Sequence, residues 1–465
     1  MWFNDARTSV EVQVRGFFVF VIWLATAVPA LCGTPSAGAR KAHAQEKPST
    51  NAFHVQGDRL HGTLEKLSTF GHNADGGVTR LGFSAADMAA RQYVMGLMRA
   101  AGLRVRVDPA GNIFGYRAGT EKLPALLFGS HIDSVPHGGN FDGDVGSMGA
   151  IEVIRALNDH SVRTRHPLEV VVWTNEEGFH FRVGVFGSSA AAGIVDPSVL
   201  DRRDDQGLTL ADWLRKYGQN PADISKARIA PSAVAAYVEL HIEQGAVLDR
   251  AKIPIGVVQG IVGIGWWNCV ATGFANHAGT TPMDQRRDAL AAASKAVLAV
   301  REAVRAESGR QVGTVGMIKV EPGAPNIIPG RAEFSVELRD LDAAKVHRIW
   351  NDVEKRFAAI SKEENVPIQC TALDFDEPAK ADPVVQQAIR DAARSAGLAY
   401  LDMPSGAGQD AQNAALFTRM GMIFVPSRNG ISHSPLEFTP WSDVTNGAEV
   451  LYRTILSLDQ RLNSE

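Results

Sequence analysis

Apolar residues recur at helical spacing from about Asp58 to Ala101, most clearly in "AADMAARQYVMGLMRAAGL", and Gly102 supplies the C-terminal stop. The stretch "LRVRVDPAGNIFGYRAG" then alternates as two strands around a turn. Two short apolar runs follow, "ALLFGSHIDSVP" and "LEVVVWTNEEG", each ending in polar and charged residues and separated by the helical "GSMGAIEVIRALNDH". Strands that alternate with helices and carry chemistry at their ends predict an α/β sheet with a site along one edge. Between roughly Ile261 and Phe375 the pattern changes. There "GWWNCVATGFA", "GTVGMIKVEPG" and "AEFSVELRDLD" read as strands, with long helices over "RRDALAAASKAVLAVREAVRA" and "AAKVHRIWNDVEKRFAAISKEEN". This order predicts a small β-α-β-β-α-β-like module inserted into the larger domain. The strand "GMIFVPS" and a final helix from Ser442 to Asn463 return the chain to that domain.

Composition sharpens this division. A chain of 465 residues with 45% hydrophobic content supports more than one core. The predicted organisation is a targeting segment at 1–44, a catalytic domain in two parts at 45–260 and 378–465, and an inserted domain at 261–377. In the targeting segment Arg7 and Arg15 precede the apolar run Phe17 to Leu31, and Ala42-His43-Ala44 offers a cleavage site after Ala44. That run is shorter than the roughly 20 residues that span a bilayer, so export to the periplasm or beyond is expected, with an uncleaved anchor as the alternative. Beyond Cys32 only Cys269 and Cys370 remain, too few for a disulfide framework. A net charge of -4 leaves no basic surplus for a phosphate backbone, so nucleic acid is not an expected partner.

The candidate chemistry lies at strand ends. His131 and Asp133 are two apart and share a face, so one can bind a metal while the other orients a neighbour; a strand-end Asp capping the next turn is the plainer reading. In "GGNFDGDVG" glycines frame Asp142, a carboxylate open enough to bridge two cations. Asp144 competes for that role, since Asp-Gly-Asp is also an ordinary turn, and His137 reads as a solvated loop residue. Glu176-Glu177 is the most informative doublet. Two adjacent carboxylates at a buried strand end repel unless a cation or proton stabilises them. One can then ligate while the other takes a proton from water. His241 in "YVELHIEQGAVLD" and His433 in "NGISHSPLEF" would be unremarkable alone. Together with the others they give nitrogen and oxygen donors from five segments, a set suited to two divalent ions such as zinc, manganese or cobalt, with zinc placed first.

On "GSHIDSVPHGGNFDG", "TNEEGFHF", "ELHIEQG", "ANHAGTTPMDQRRDA", "APNIIPG" with "ELRDLD", "SGAGQDAQ" and "ISHSPLEFT", the chain after about Asn51 resembles a known group. It comprises the N-carbamoyl-L-amino-acid hydrolases, β-ureidopropionases and allantoate amidohydrolases. These fall within the aminoacylase and carboxypeptidase-like co-catalytic metallohydrolases. The resemblance implies a mixed-sheet di-metal hydrolase domain with an inserted α+β ferredoxin-like lid that also dimerises. It implies His131, Asp142, Glu177, His241 and His433 as metal ligands, Asp142 as the bridge and Glu176 as the catalytic base. It further implies that Gln244 contacts substrate, that His277 stabilises an oxyanion, and that Asn326 and Arg339 hold a substrate carboxylate across a homodimer. Without it, His277 and Asn326 read as turn residues and Arg339 as a partner of Asp340 or Asp342.

In "SGAGQDAQ", Gly408 and Gln409 fall at the implied substrate side. Gln409 stands where the group usually carries a histidine; it can donate and accept hydrogen bonds but cannot titrate near neutral pH. The expected reaction is hydrolysis of a linear amide C–N bond, that of an N-carbamoyl-L-amino acid or related ureido acid. Its products would be amino acid, carbon dioxide and ammonia. An N-acyl amino acid amidase or dipeptidase is the nearer alternative, and a non-catalytic binding protein the further one.

Overall fold

A computed structural model describes residues 54–462 of the chain. The expected targeting segment, its cleavage point after Ala44 and Asn463 lie outside the described residues. In chain order the strands are β1 (Arg104–Val107), β2 (Ile113–Arg117), β3 (Ala125–His131), β4 (Leu168–Trp173), β5 (Val234–Ile242), β6 (Ile255–Ile261), β7 (Gly263–Thr272) and β8 (Asn276–His277). They continue as β9 (Val312–Thr314), β10 (Ile318–Glu321), β11 (Ile327–Ile328), β12 (Arg331–Asp340), β13 (Ile368–Asp376), β14 (Ala379–Lys380), β15 (Tyr400–Ser405) and β16 (Arg419–Val425).

The large sheet is mixed, as expected, in the order β1-β2-β4-β3-β5-β16-β6-β14 with β15 also on β6. At its centre β4, β3, β5 and β16 are parallel neighbours. The flanking pairs β1–β2, β2–β4, β16–β6 and β6–β14 are antiparallel. Both faces of the central strands are covered. Leu126 and Phe128 of β3 join the core beneath the helices Asp144–Asp159 and Trp441–Arg461, while Leu127 joins the core of the opposite face. Burial on both sides explains why β3 and β4 read as continuous apolar runs rather than alternations.

One expectation needs correction. The helical spacing from Asp58 to Ala101 belongs to two helices, Gly57–Ser68 and Ala85–Ala100, the second capped by the Ser84 side chain, which accepts from the Asp87 amide at 3.2 Å. Leu60, Leu64 and Leu67 of the first and Val94 and Met98 of the second face the same core, so the apolar period survives the break.

Residues of β7, β9, β10, β12 and β13 build a second, antiparallel sheet in the order β10-β12-β7-β13, with β9 on β12. Here β7 and β12 alternate buried and partly exposed positions, the period of a sheet covered on one face. The helices Ala289–Ala306 and Ala343–Glu364 supply that cover. Their apolar stripes close a separate core in which Trp267 and Trp350 stack at 4.0 Å between ring centroids. Cys269 and Cys370 lie directly opposite on β7 and β13 and are joined by a disulfide.

Candidate metal centre

Four neighbouring parallel strands deliver their polar ends to one edge of the large sheet. His131 is the last residue of β3, and His241 is the penultimate residue of β5. Glu176 and Glu177 follow β4 after Thr174 and Asn175, and the chain leaving β16 returns with His433. Asp142 comes from the loop ahead of the helix Asp144–Asp159. Gly143 caps that helix at φ 67°, and a Cβ there would meet the His131 ring at 2.4 Å. Only glycine fits both the backbone and the contact.

These residues form two donor groups that share one member. His131, Asp142 and His241 make the first group, and Asp142, Glu177 and His433 the second, with the donor atoms of each within 4.8 Å of one another. Oδ1 of Asp142 lies 3.1 Å from His241 Nε2 and 3.6 Å from His131 Nε2. Oδ2 lies 3.3 Å from His433 Nε2, which is 3.5 Å from Oε2 of Glu177. The Nδ1 atoms of His131 and His241 lie 3.0 Å from the carbonyls of Asp133 and Ile242. A carbonyl can only accept, so each Nδ1–H donates and each Nε2 carries the lone pair, which in His241 also accepts the Gly143 amide at 3.2 Å.

Asp133 and Glu437 position the acidic residues through the backbone. Asp133 accepts the amides of both Glu176 and Glu177, each at 3.1 Å. Glu437, seated against Gly139, accepts the amides of Phe141 and Asp142 at 2.9 and 3.1 Å. Glu437 was missed in the sequence although it lies in "ISHSPLEFT", because nothing local distinguishes it from a surface glutamate. Of the competing Asp142 and Asp144, only Asp142 belongs to the donor groups; Arg80, buried in the break between the first two helices, engages both Asp144 oxygens. Asp144 is therefore committed elsewhere. Arg80 also donates to the carbonyls of Leu67 and Phe70 at 3.0 Å.

The electrostatics mark a site short of positive charge. Burial, together with the neighbouring Asp142, pushes Glu177 up to about 8, and its Oε1 is buried with no hydrogen-bond partner. Burial and Glu177 likewise hold Glu176 well above the usual carboxylate range. Burial opposes a charge on His131, yet Glu176, Asp142 and Asp133 hold it well above the ordinary imidazole value. Buried carboxylates crowded this way call for cations, and a set of imidazole nitrogens and carboxylate oxygens suits divalent ones.

Beside the second donor group, Gln244 donates from Nε2 to Oδ2 of Asp142 at 2.7 Å, and Gln409 donates to Oε1 of Gln244 at 3.0 Å. Gln409 is buried, whereas Gly408 is exposed at the surface beside it. His277 and Asn326 are brought together, since the Ala278 amide donates to the Asn326 carbonyl at 2.9 Å and β8 pairs with β11. They are not brought to the donor groups: His277 is exposed, and its Nδ1 accepts the amides of Gly279 and Thr280. Arg339 pairs with Glu337 rather than with Asp340 or Asp342, and donates to the Gly406 carbonyl at 2.8 Å. Asp340 is taken by Lys345. His137 stands outside the donor groups, exposed and 2.7 Å from Asp75.

Fold and site together define a mixed α/β protein that presents two overlapping metal-donor groups at the carboxyl ends of parallel strands. The chain belongs to peptidase family M20/M25/M40, whose family model matches residues 127–457. It is 44% identical over 407 residues to an N-carbamoyl-L-amino acid amidohydrolase of Geobacillus stearothermophilus, covering 87% of this chain and 99% of the relative. It is 35% identical to an allantoate amidohydrolase of Escherichia coli, covering 84% of this chain and 95% of the relative. A crystal structure of an amidase of the hydantoinase/carbamoylase family from Burkholderia multivorans matches with a TM-score of 0.82 at 38% identity, covering 87% of this chain and 98% of that one.

Proposed function

We propose that the protein hydrolyses the ureido C–N bond of an N-carbamoyl-L-amino acid or a related ureido acid. It is an amidohydrolase, a hydrolase of C–N bonds in linear amides, as its relatives are by name. The observation that carries the reading is Asp142, one carboxylate turned toward two separate donor groups in a member of this family. His131 and His241 would hold one divalent ion and Glu177 and His433 the other, with Asp142 shared; zinc, manganese and cobalt all suit these donors. Two such ions supply Lewis acidity toward a carbonyl oxygen and lower the pKa of water.

The chain's own groups then divide the work. Glu176, held by Asp133 but free of the donor groups, takes the proton of the attacking water and passes it to the leaving nitrogen. A bond forms between the water oxygen and the ureido carbon. The bond from that carbon to the amino acid nitrogen breaks, and the remaining carbamate falls apart into carbon dioxide and ammonia. Gln244 and Gln409 line the substrate side. Residues 261–377 form an inserted ferredoxin-like lid that also dimerises. Its His277, Asn326 and Arg339 serve the active site of a second copy, with His277 donating to the oxyanion and the other two holding the carboxylate. Supporting this are the exposure of His277 outside both donor groups of its own chain and the exposed Met317 and Ile318 at the start of the edge strand β10.

Residues 1–44 direct export and are removed after Ala44. The Cys269–Cys370 bridge supports an oxidising destination. A panel of N-carbamoyl, N-formyl, N-acetyl and dipeptide substrates tests the function with metal-reconstituted protein. Turnover should be highest on the N-carbamoyl acids; a preference for dipeptides or acetyl amides would overturn the assignment. Replacing Glu176 by Gln should abolish turnover with metal content retained, and near-normal turnover would remove it as the base.

A further inference from the structure

A cleft of about 930 Å³ opens off the donor groups, and Glu177 forms part of its wall. The rest comes from Leu81 and from two loops that carry Arg182, Arg202 and Arg203, with Asp205 as the opposing charge. The first loop leaves the strand end that bears Glu176 and folds back onto it. The Val185 amide donates to the Glu176 carbonyl at 2.7 Å, and the Asn175 side chain donates to the Val183 carbonyl at 2.8 Å. The second loop is organised by buried Asp204, which accepts the amides of Gln206 and Leu208 at 2.9 Å and the Trp213 indole at 2.8 Å. Both loops are thus built rather than loosely draped.

None of the three guanidinium groups sits in an ion pair among the described residues, although the charge of Arg202 acts on Asp196. Arg202 and Arg203 each donate to a backbone carbonyl at 2.6 Å, those of Arg182 and Gly207, and the Arg182 side chain has no partner among the described residues. Three guanidinium groups against the single Asp205 on the two loops leave the cleft wall there positive and suited to an anion, and a planar fork matches a carboxylate.

Resting on the ureido-acid reading above, we propose that this cleft receives a second anionic group of the substrate, so that the preferred substrates are N-carbamoyl derivatives of acidic amino acids. The first carboxylate belongs to the ureido acid itself. The second, on the side chain, enters between the two loops and meets Arg182 and Arg203.

The test compares kcat/KM for N-carbamoyl-L-glutamate and N-carbamoyl-L-glutamine, which differ in charge but scarcely in shape, using metal-reconstituted full-length protein. The wild type should favour the glutamate derivative by about tenfold or more, and added salt should erode the ratio. Arg182→Gln with Arg203→Gln should bring the ratio toward one, and Arg182→Glu should reverse it. Equal turnover of the two, or a ratio that the substitutions and salt leave unchanged, overturns the anion cleft while leaving the ureido reading intact. Turnover of neither, with other N-carbamoyl-L-amino acids hydrolysed, overturns the anion cleft alone; turnover of no N-carbamoyl acid overturns the ureido reading and this inference with it.

Discussion

Asp133 holds Glu177 by its backbone: Oδ2 of Asp133 accepts the Glu177 amide at 3.1 Å, while Oδ1 accepts that of Glu176 at the same distance. The ligand candidate and the base candidate are therefore set by one buried carboxylate. Asp133→Asn would turn an NH2 group against one of those two N–H donors. We expect kcat to fall roughly 10–100-fold, the usual cost of losing a group that orients a metal ligand, with metal content measured by elemental analysis reduced far less. Unchanged kcat would show that the doublet holds its geometry without Asp133.

Gln409 reaches Asp142 through Gln244 in a chain of two amide hydrogen bonds, neither of which titrates. Gln409→His would place an ionisable ring at the same point. The profile of kcat/KM against pH should gain an ionisation near the ordinary imidazole value of about 6.5 that the wild type lacks. Superimposable profiles would mean that position 409 does not communicate with the reacting groups.

Arg80 and Asp144 form a buried ion pair outside the donor groups. Arg80→Met leaves the carboxylate uncompensated in the interior and should lower the unfolding free energy by about 3–5 kcal/mol in chemical denaturation. Replacing both partners by apolar residues should recover much of that loss. A double variant no more stable than the single one would contradict this account of the pair.

Asp108, in the turn between β1 and β2, is pushed up to about 6 by burial, against hydrogen bonds from Asn112 and Ala110 that favour its charged form. The folded chain keeps this proton to a higher pH than the unfolded chain, whose value is near 3.8. The group's contribution to stability is therefore fully present below about 3.8 and is lost as pH rises through about 6. The stability of the wild type relative to Asp108→Asn should fall by roughly 2–3 kcal/mol between pH 4 and 7. A flat difference would show that the proton is not held.

Much of this was legible in the sequence because two physical signals coincide there. Runs such as "ALLFGSH" and "LEVVVWTNEE" are apolar on both faces and then abruptly polar, as a buried parallel strand ending at a site must be. What the sequence hid depends on contacts between distant segments. Position before Gly143 and after Phe141 favours Asp142 over Asp144 in the sequence, but the engagement of Asp144 by Arg80, 64 positions away, shows only in the structure. The same holds for Glu437, whose role appears only when its carboxylate meets amides 296 and 295 positions earlier. The break between the first two helices was invisible because helices that face a common core keep a common period.

Asp142 is shared between two donor groups, an arrangement suited to two ions. The direct measurement is metal stoichiometry with turnover, in which chelator-stripped protein is titrated with zinc, manganese or cobalt. Two ions per chain are expected, with turnover following the second, and in Asp142→Asn a loss of affinity at both sites together with turnover. Full turnover with one ion bound, or an Asp142→Asn chain that binds two ions as tightly as the wild type, would contradict this arrangement.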